Sequence, residues 1–83
     1  MSLDEAILSV VAEKEPHNLH GLIRGVRAEK DPQFVGLAYI CDRTRSLLHG
    51  GLIARDLIPD RYGRMKNGPF HLTEAGFERL TRP

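Results

Sequence analysis

Apolar side chains recur every three or four residues near the start of the chain, which predicts an amphipathic helix. Ser2 precedes this pattern as a helix cap. The helix should end before Pro16, because a residue that precedes proline avoids helical backbone. The predicted buried stripe of this first helix consists of Leu3, Ile7, Val10 and Val11, and Leu8 widens it.

A second helix is predicted after Asn18, whose side chain can cap the helix N-terminus. Gly21 and Gly25 lie about one turn apart within it, and each costs about 1 kcal/mol relative to alanine. We therefore expect another helix to approach closely on the side that carries these glycines. The predicted buried stripe consists of Leu19, Leu22, Ile23 and Val26, and the side chains outside it include Arg24, Arg27 and Lys30.

A third helix is predicted from about Gln33 to His49, after a break at Asp31–Pro32 and before the glycine pair Gly50–Gly51. Thr44 on its buried side should donate a hydrogen bond to the carbonyl of Ile40. A rotation of 100° per residue assigns to the buried side Leu37, Ile40, Thr44, Leu47 and Leu48, with Cys41 at the margin. The same rotation exposes Val35, Ala38, Asp42, Ser46 and His49, with Tyr39 and Arg45 near the edges and Arg43 on a flank.

The remaining sequence predicts two β-strands joined by a loose loop and followed by a short helix. Pro59 fits the end of the first strand, because proline cannot donate to a strand ladder. Residues 60–69 are rich in turn-forming residues and are predicted to be the loop. Phe70 and Leu72 alternate as in a second strand, and Thr73 can cap the closing helix. The apolar part of the first strand is Leu52, Ile53, Leu57 and Ile58.

The length of 83 residues has room for one domain, residues 1–83, of the α+β class. No apolar run approaches the ~20 residues of a membrane span, so no membrane association is expected. Cys41 is the single cysteine, which excludes an internal disulfide and fits a reducing cytoplasm. The sequence therefore predicts a cytoplasmic protein.

The formal net charge of +1 hides an asymmetry between the two halves of the chain. Residues 1–42 carry four basic and seven acidic side chains, whereas residues 43–83 carry eight basic and four acidic ones. The predicted loop is especially basic, since no acid lies between Asp60 and Glu74. This distribution fits contact with a polyanion on one side of the molecule. It fits equally a solvated loop that keeps the protein soluble.

The sequence offers no set of residues that indicates an enzyme, a metal or a cofactor. His17 and His20 could join Cys41 at a metal, but a structural zinc site needs four ligands. Cys41 faces the core by periodicity, and a buried thiol is normally inert. We therefore expect a protein without catalytic activity and without a bound metal or cofactor.

Several segments in this order resemble the PadR and MarR families of winged helix-turn-helix regulators. Ala6-Ile-Leu-Ser-Val-Val-Ala-Glu and the later Leu19-His-Gly-Leu-Ile resemble the opening helix and the start of the second helix in PadR proteins. Phe70-x-Leu-Thr-x-x-Gly resembles the second wing strand, and it follows a helix that ends Leu47-x-x-x-Gly-Leu-Ile. The resemblance implies three helices, a two-stranded hairpin called the wing, and a short C-terminal helix.

Two features depart from the PadR pattern. The family's Ser-x-Gly-Thr-Leu-Tyr at the start of the third helix is replaced here by residues 33–39. PadR proteins also carry a further C-terminal helix or helical domain for dimerisation, whereas this sequence stops after the closing helix. The expectation is a minimal relative that dimerises through its first helix, its last helix or both, with Leu8 and Phe77 as exposed apolar candidates.

The resemblance implies a homodimeric transcriptional regulator that binds double-stranded DNA, with the third helix in the major groove and the wing on the backbone or in the minor groove. Asp42 is expected to orient a neighbouring arginine. A winged helix that docks a protein partner, without DNA recognition, is the alternative. The candidate DNA contacts on the third helix are Gln33, Tyr39, Asp42, Arg43, Arg45 and Ser46. The candidate contacts on the wing are Arg61, Arg64, Lys66 and Asn67.

Overall fold

The structure is a computed structural model that describes residues 2–29 and 36–82. Within these ranges it has four helices and one two-stranded antiparallel hairpin, which confirms the α+β class. Residues 30–35 are not among the described residues, so the predictions for Lys30, Asp31, Pro32, Gln33 and Val35 lie outside this part of the chain. The elements are α1 (Leu3–Lys14), α2 (Leu19–Glu29), α3 (Leu37–His49), β1 (Ile53–Pro59), β2 (Met65–Leu72) and α4 (Glu74–Thr81).

Helix α1 is the centre of the fold, since it contacts α2, α3, α4 and β2. The Ser2 hydroxyl accepts a hydrogen bond from the Glu5 amide at 3.2 Å, which confirms the predicted cap. The helix ends where Glu15 adopts a left-handed conformation, just before Pro16 as predicted. Leu8 is completely buried, so the prediction that it is an exposed dimerisation residue is wrong. Neighbours on several sides of α1 bury more of its surface than one stripe.

Helices α1 and α2 approach closely at Gly25. A Cβ added to Gly25 would lie 2.6 Å from Cγ1 of Val10, which leaves no room for a side chain. Close approach is confirmed there, but not at Gly21, where the nearest atoms belong to Asn18 and Pro16 at ordinary distances of 3.5 and 3.6 Å. The Asn18 side chain accepts a hydrogen bond from the Gly21 amide at 2.8 Å, as a cap does.

The first apolar residue of α2 and of α3 is more exposed than the periodicity predicts. Leu19 is 37% exposed and Leu37 is 53% exposed, although both were assigned to buried stripes. Each begins its helix, one turn before the first side chain that reaches the core. Helix α3 begins at Leu37, because Gly36 has extended backbone and forms the N-cap.

The buried side of α3 otherwise follows the prediction. Ile40, Thr44 and Leu47 are buried, and the Thr44 hydroxyl donates to the Ile40 carbonyl at 2.8 Å as expected. Gly51 then takes the left-handed conformation, with φ of 77°, at which the chain leaves the helix for β1.

The hairpin is longer and its turn tighter than the sequence indicates. Strand β2 begins at Met65, so the prediction of a loop through residues 60–69 is wrong. The Asp60 carboxylate accepts hydrogen bonds from two backbone amides of the turn and closes it at residues 60–64, called the wing tip below. The residues that indicated a loop, Gly68 and Pro69, lie inside β2 and form a bulge opposite Asp56.

The base of the hairpin is anchored in the core. Phe70 is 1% exposed, and its amide donates to the carbonyl of Pro16 at 2.9 Å, which ties β2 to the connection between α1 and α2. Thr73 caps α4 as predicted, since its hydroxyl accepts from the Gly76 amide at 3.1 Å. Phe77 on α4 remains 59% exposed, as expected.

Candidate nucleic-acid interface

One face of α3 is exposed along the whole helix. This face was predicted from the helical rotation, and its exposure is confirmed for every predicted residue that the structure describes. Tyr39 is 58% exposed, so it lies on this face and not in the core. A shallow depression on the face is lined by four polar side chains that could contact a ligand in a groove. The depression is lined by Asp42, Arg45, Ser46 and His49.

Arg43 lies on the flank of α3 that faces α1, and it has a partner there. Its Nε and one terminal nitrogen donate to the two carboxylate oxygens of Asp4 at 2.9 and 2.7 Å. These hydrogen bonds lower the pKa of Asp4, although its partial burial opposes the shift, and they raise the pKa of Arg43. The carboxylate that orients Arg43 is therefore Asp4, so the expectation that Asp42 orients a neighbouring arginine is wrong for Arg43. Arg43 fixes α3 against α1.

The wing presents cationic side chains to solvent. The four predicted contacts, Arg61, Arg64, Lys66 and Asn67, are all exposed. The nearest carboxylate in the sequence, Asp60, is occupied with two backbone amides of the turn. The wing tip therefore has a positive charge that is held in a defined shape.

Tyr62 is a wing-tip residue that the sequence analysis missed. It is 76% exposed, and the guanidinium carbon of Arg61 lies 5.3 Å from the centre of its ring. The available signal was an aromatic residue beside an arginine in a segment that lacks acids. Its ring could stack on a sugar or a base at the edge of a groove.

A cavity of about 140 Å³, called the α3–hairpin cleft below, lies between α3 and the base of the hairpin. Arg55 of β1 forms part of its wall, with its guanidinium carbon 4.3 Å from the centre of the Phe70 ring. The sequence analysis missed Arg55, because one arginine in a predicted strand looks like an ordinary surface residue. The lining residues are Leu19, Cys41, Thr44, Arg45, Leu48, Arg55 and Phe70.

The residues considered for metal binding do not form a cluster. His17 and His20 are exposed, and Cys41 is half-buried in the wall of the cleft. Across residues 2–29 and 36–82, no three side chains of the His, Cys, Asp or Glu type come together as metal ligands would. None of the helices in these ranges has the length and apolar character needed to cross a membrane.

Three helices followed by a hairpin and a closing helix define a winged helix fold. No family model matches this chain, and no curated protein matches it. Solved structures do match. A PadR-like transcriptional regulator from Bacillus cereus is 22% identical with a TM-score of 0.70, over 94% of this chain and 73% of that chain. The chain therefore has the PadR-like winged helix fold that its sequence motifs predicted.

Two further structures have the same arrangement. A transcriptional regulator from Streptococcus is 24% identical with a TM-score of 0.68, over 95% of this chain and 74% of that chain. A Streptococcus mutans protein is 15% identical with a TM-score of 0.68, over 94% of this chain and 68% of that chain. The fold is thus shared at 15–24% sequence identity.

Proposed function

We propose that this chain binds double-stranded DNA and regulates transcription from the cytoplasm as a homodimer. The observation that carries the proposal is the combination of an exposed polar face on α3 with an exposed cationic wing on the same fold. A major groove is wide enough to admit one α-helix, and a cationic hairpin beside that helix can follow the phosphates. The similarity to transcriptional regulators from Streptococcus and Bacillus cereus supports it.

The exposed face of α3 supplies the proposed contacts to bases. Arg45 can donate two hydrogen bonds to guanine, and Asp42 can accept one from the amino group of cytosine. Tyr39 and Ser46 are suited to phosphate oxygens. Gln33, which lies outside the described residues, remains a proposed partner of adenine. Arg43, by contrast, acts in this proposal by holding α3 in place through Asp4.

The wing supplies affinity that does not depend on sequence. Arg61, Arg64, Lys66 and Asn67 are proposed to contact the backbone or the minor groove. Each phosphate that a protein neutralises lowers the slope of log affinity against log salt by about 0.9 on duplex DNA. The double variant Arg64→Ala/Lys66→Ala should therefore weaken binding to all duplexes and reduce the steepness of that slope by roughly 1.8. An unchanged slope would remove the wing from the interface.

Arg45 and Arg43 form a matched pair for testing whether the exposed face of α3 contacts bases. Duplexes selected in vitro from a random pool by the wild-type protein provide the specific site. Arg45→Ala should lower affinity for that site by about 10- to 100-fold, and affinity for an unrelated duplex by much less. Arg43→Ala should instead lower thermal stability and leave the ratio of specific to unrelated binding nearly unchanged, because its guanidinium is bound to Asp4. An equal loss on both duplexes for Arg45→Ala would contradict base recognition.

A homodimer would place two α3 helices in successive major grooves about 34 Å apart. Phe77, exposed on α4, is the proposed interface residue, since Leu8 is buried. Sedimentation equilibrium of the wild type and of Phe77→Asp measures this directly. The dimer should become a monomer in the variant, with an unchanged circular dichroism spectrum. A wild type that stays monomeric on its selected duplex would refute the dimer.

A docking module for a protein partner is the second candidate. It is favoured by large apolar side chains that remain exposed on α3 and on the wing. Retention on heparin at moderate salt, together with selection of a defined duplex, distinguishes DNA binding from docking. The exposed large apolar residues on α3 and the wing are Leu37, Tyr39, Leu57, Ile58, Tyr62 and Met65.

A further inference from the structure

We propose that the α3–hairpin cleft binds one sugar-phosphate unit of the DNA strand that passes between the two grooves, with Arg55 on its phosphate. The inference rests on the proposed DNA-binding function and adds Arg55 to the interface. A winged helix with α3 in the major groove and its wing at the adjacent minor groove straddles the backbone that separates the two grooves. The cleft lies between these two elements, which is where we expect that backbone to pass.

Arg55 is held by two hydrogen bonds, and within residues 2–29 and 36–82 its other donors have no partner. Its Nε donates to the Gly68 carbonyl at 3.2 Å, one terminal nitrogen donates to the His17 carbonyl at 2.9 Å, and the guanidinium stacks on Phe70. These bonds use two of the five N–H groups of an arginine. Both acceptors are neutral, and no ion pair of Arg55 occurs in the part of the chain that the structure describes. A fixed guanidinium with an uncompensated charge and unused donors is a preorganised site for an anion.

The rest of the cleft fits a sugar-phosphate better than a bare anion. Its two cationic residues, Arg45 and Arg55, come from opposite walls, and no acid is among the described lining residues. The hydroxyl of Thr44 is already bonded to the Ile40 carbonyl, so the guanidinium groups are the main free polar groups of the lining. Leu19 and Leu48 add apolar surface, against which the C–H groups of a deoxyribose can pack while its phosphate reaches the Arg55 guanidinium.

If Arg55 contacts a phosphate, its replacement should change both the affinity for DNA and the dependence of that affinity on salt. Arg55→Gln should lower affinity on every duplex sequence, and it should make the slope of log affinity against log salt less steep by about 0.9. Arg55→Lys keeps the charge but not the two-pronged geometry, so it should retain most of the slope while losing several-fold in affinity. Arg79→Gln is the matched control, because Arg79 is an exposed arginine on α4 that lines a different depression.

The decisive experiment neutralises single phosphates on the DNA. In the selected duplex, methylphosphonate replaces one phosphate at a time, and affinities are measured for the wild type, both Arg55 variants and Arg79→Gln. One position should weaken the wild type and Arg79→Gln about 10-fold and leave Arg55→Gln unchanged. Thermal melting of each variant checks its fold. If Arg55→Gln does not fold, Arg55→Lys carries the comparison, and its sensitivity at that position should fall below that of the wild type.

Two results would overturn the inference while leaving DNA binding intact. In the first, the wild type binds the duplex with a steep slope of log affinity against log salt, but the Arg55 variants lose as much affinity as the wild type at every methylphosphonate position. The other is an Arg55 Nε–H resonance that shifts with inorganic phosphate alone and stays unchanged with duplex, which would make the cleft a site for a free anion. A wild type that binds no duplex at all would instead refute the proposed function.

Discussion

The contact between α1 and α2 gives the most quantitative test of this structure. Gly25 faces Val10 so closely that an added Cβ would lie 2.6 Å from Cγ1 of Val10. Gly21, in the same helix, has room, since its nearest neighbours would be 3.5 and 3.6 Å away. The substitutions Gly21→Ala and Gly25→Ala therefore differ mainly in whether α1 must move to make room for the new methyl group.

The expected magnitudes follow from two opposing effects. Alanine favours a helix over glycine by up to about 1 kcal/mol, and Gly21→Ala should be stabilised by part or all of this amount. Gly25→Ala gains the same term but overpacks the core, which typically costs about 1–3 kcal/mol. The free energy of unfolding of Gly25→Ala should therefore be about 1–3 kcal/mol lower than that of Gly21→Ala. In a domain of this size, 1 kcal/mol corresponds to roughly 4–8 °C in Tm.

Urea denaturation of the wild type and both alanine variants measures this difference. Val10→Ala supplies the check on its cause, because it removes the γ carbons that the new methyl group meets. In the Val10→Ala background, Gly25→Ala should become stabilising, with a coupling energy between the two sites of about 1–3 kcal/mol. If Gly25→Ala stabilises the wild type as much as Gly21→Ala does, the close approach of α1 and α2 is refuted.

Three further predictions concern the contacts that hold α1, α3 and α4. Arg43 lowers the pKa of Asp4 from 3.8, so the Asp4–Arg43 pair stabilises the fold above pH 3.8. This stabilisation is lost as the pH falls through the lowered pKa. In urea unfolding, Asp4→Asn should therefore make the free energy of unfolding depend less on pH in this acid range. Gly76→Ala would place a Cβ against the Leu52 carbonyl, so little folded protein should be recovered, and a melting curve like the wild type's would contradict this. Thr73→Ala should cost about 1 kcal/mol through loss of the α4 cap, whereas a serine there should restore most of it in the same denaturation assay.

The local elements could be predicted from the sequence because local rules determine them. The caps Ser2, Asn18 and Thr73 act within one turn, and the structure has them where expected. The start of β2 could not be predicted in this way. Gly68 and Pro69 are typical turn residues, and only their pairing partners on β1 show that they form a bulge.

The site was harder to predict because its important contacts join distant parts of the chain. Arg43 is 39 residues from Asp4, and the neighbouring Asp42 was the more obvious partner by sequence. Arg55 lies far from His17 in sequence, although their hydrogen bond brings β1 to the start of α2. Helical rotation can show that a side chain lies on a flank, but it cannot show which other element comes to meet it.

These long-range contacts also bear on how the surface could recognise DNA. Arg43 fixes one flank of α3 to α1, and Phe70 fixes the base of the hairpin to Pro16. Arg45 and Arg55 therefore project from two elements whose spacing the core determines. Because ordering side chains on binding costs free energy, such preorganisation favours affinity. Loss of the Arg43–Asp4 pair should then weaken DNA binding only as far as it loosens α3, whereas loss of Arg55 should remove a phosphate contact even in a fully folded protein.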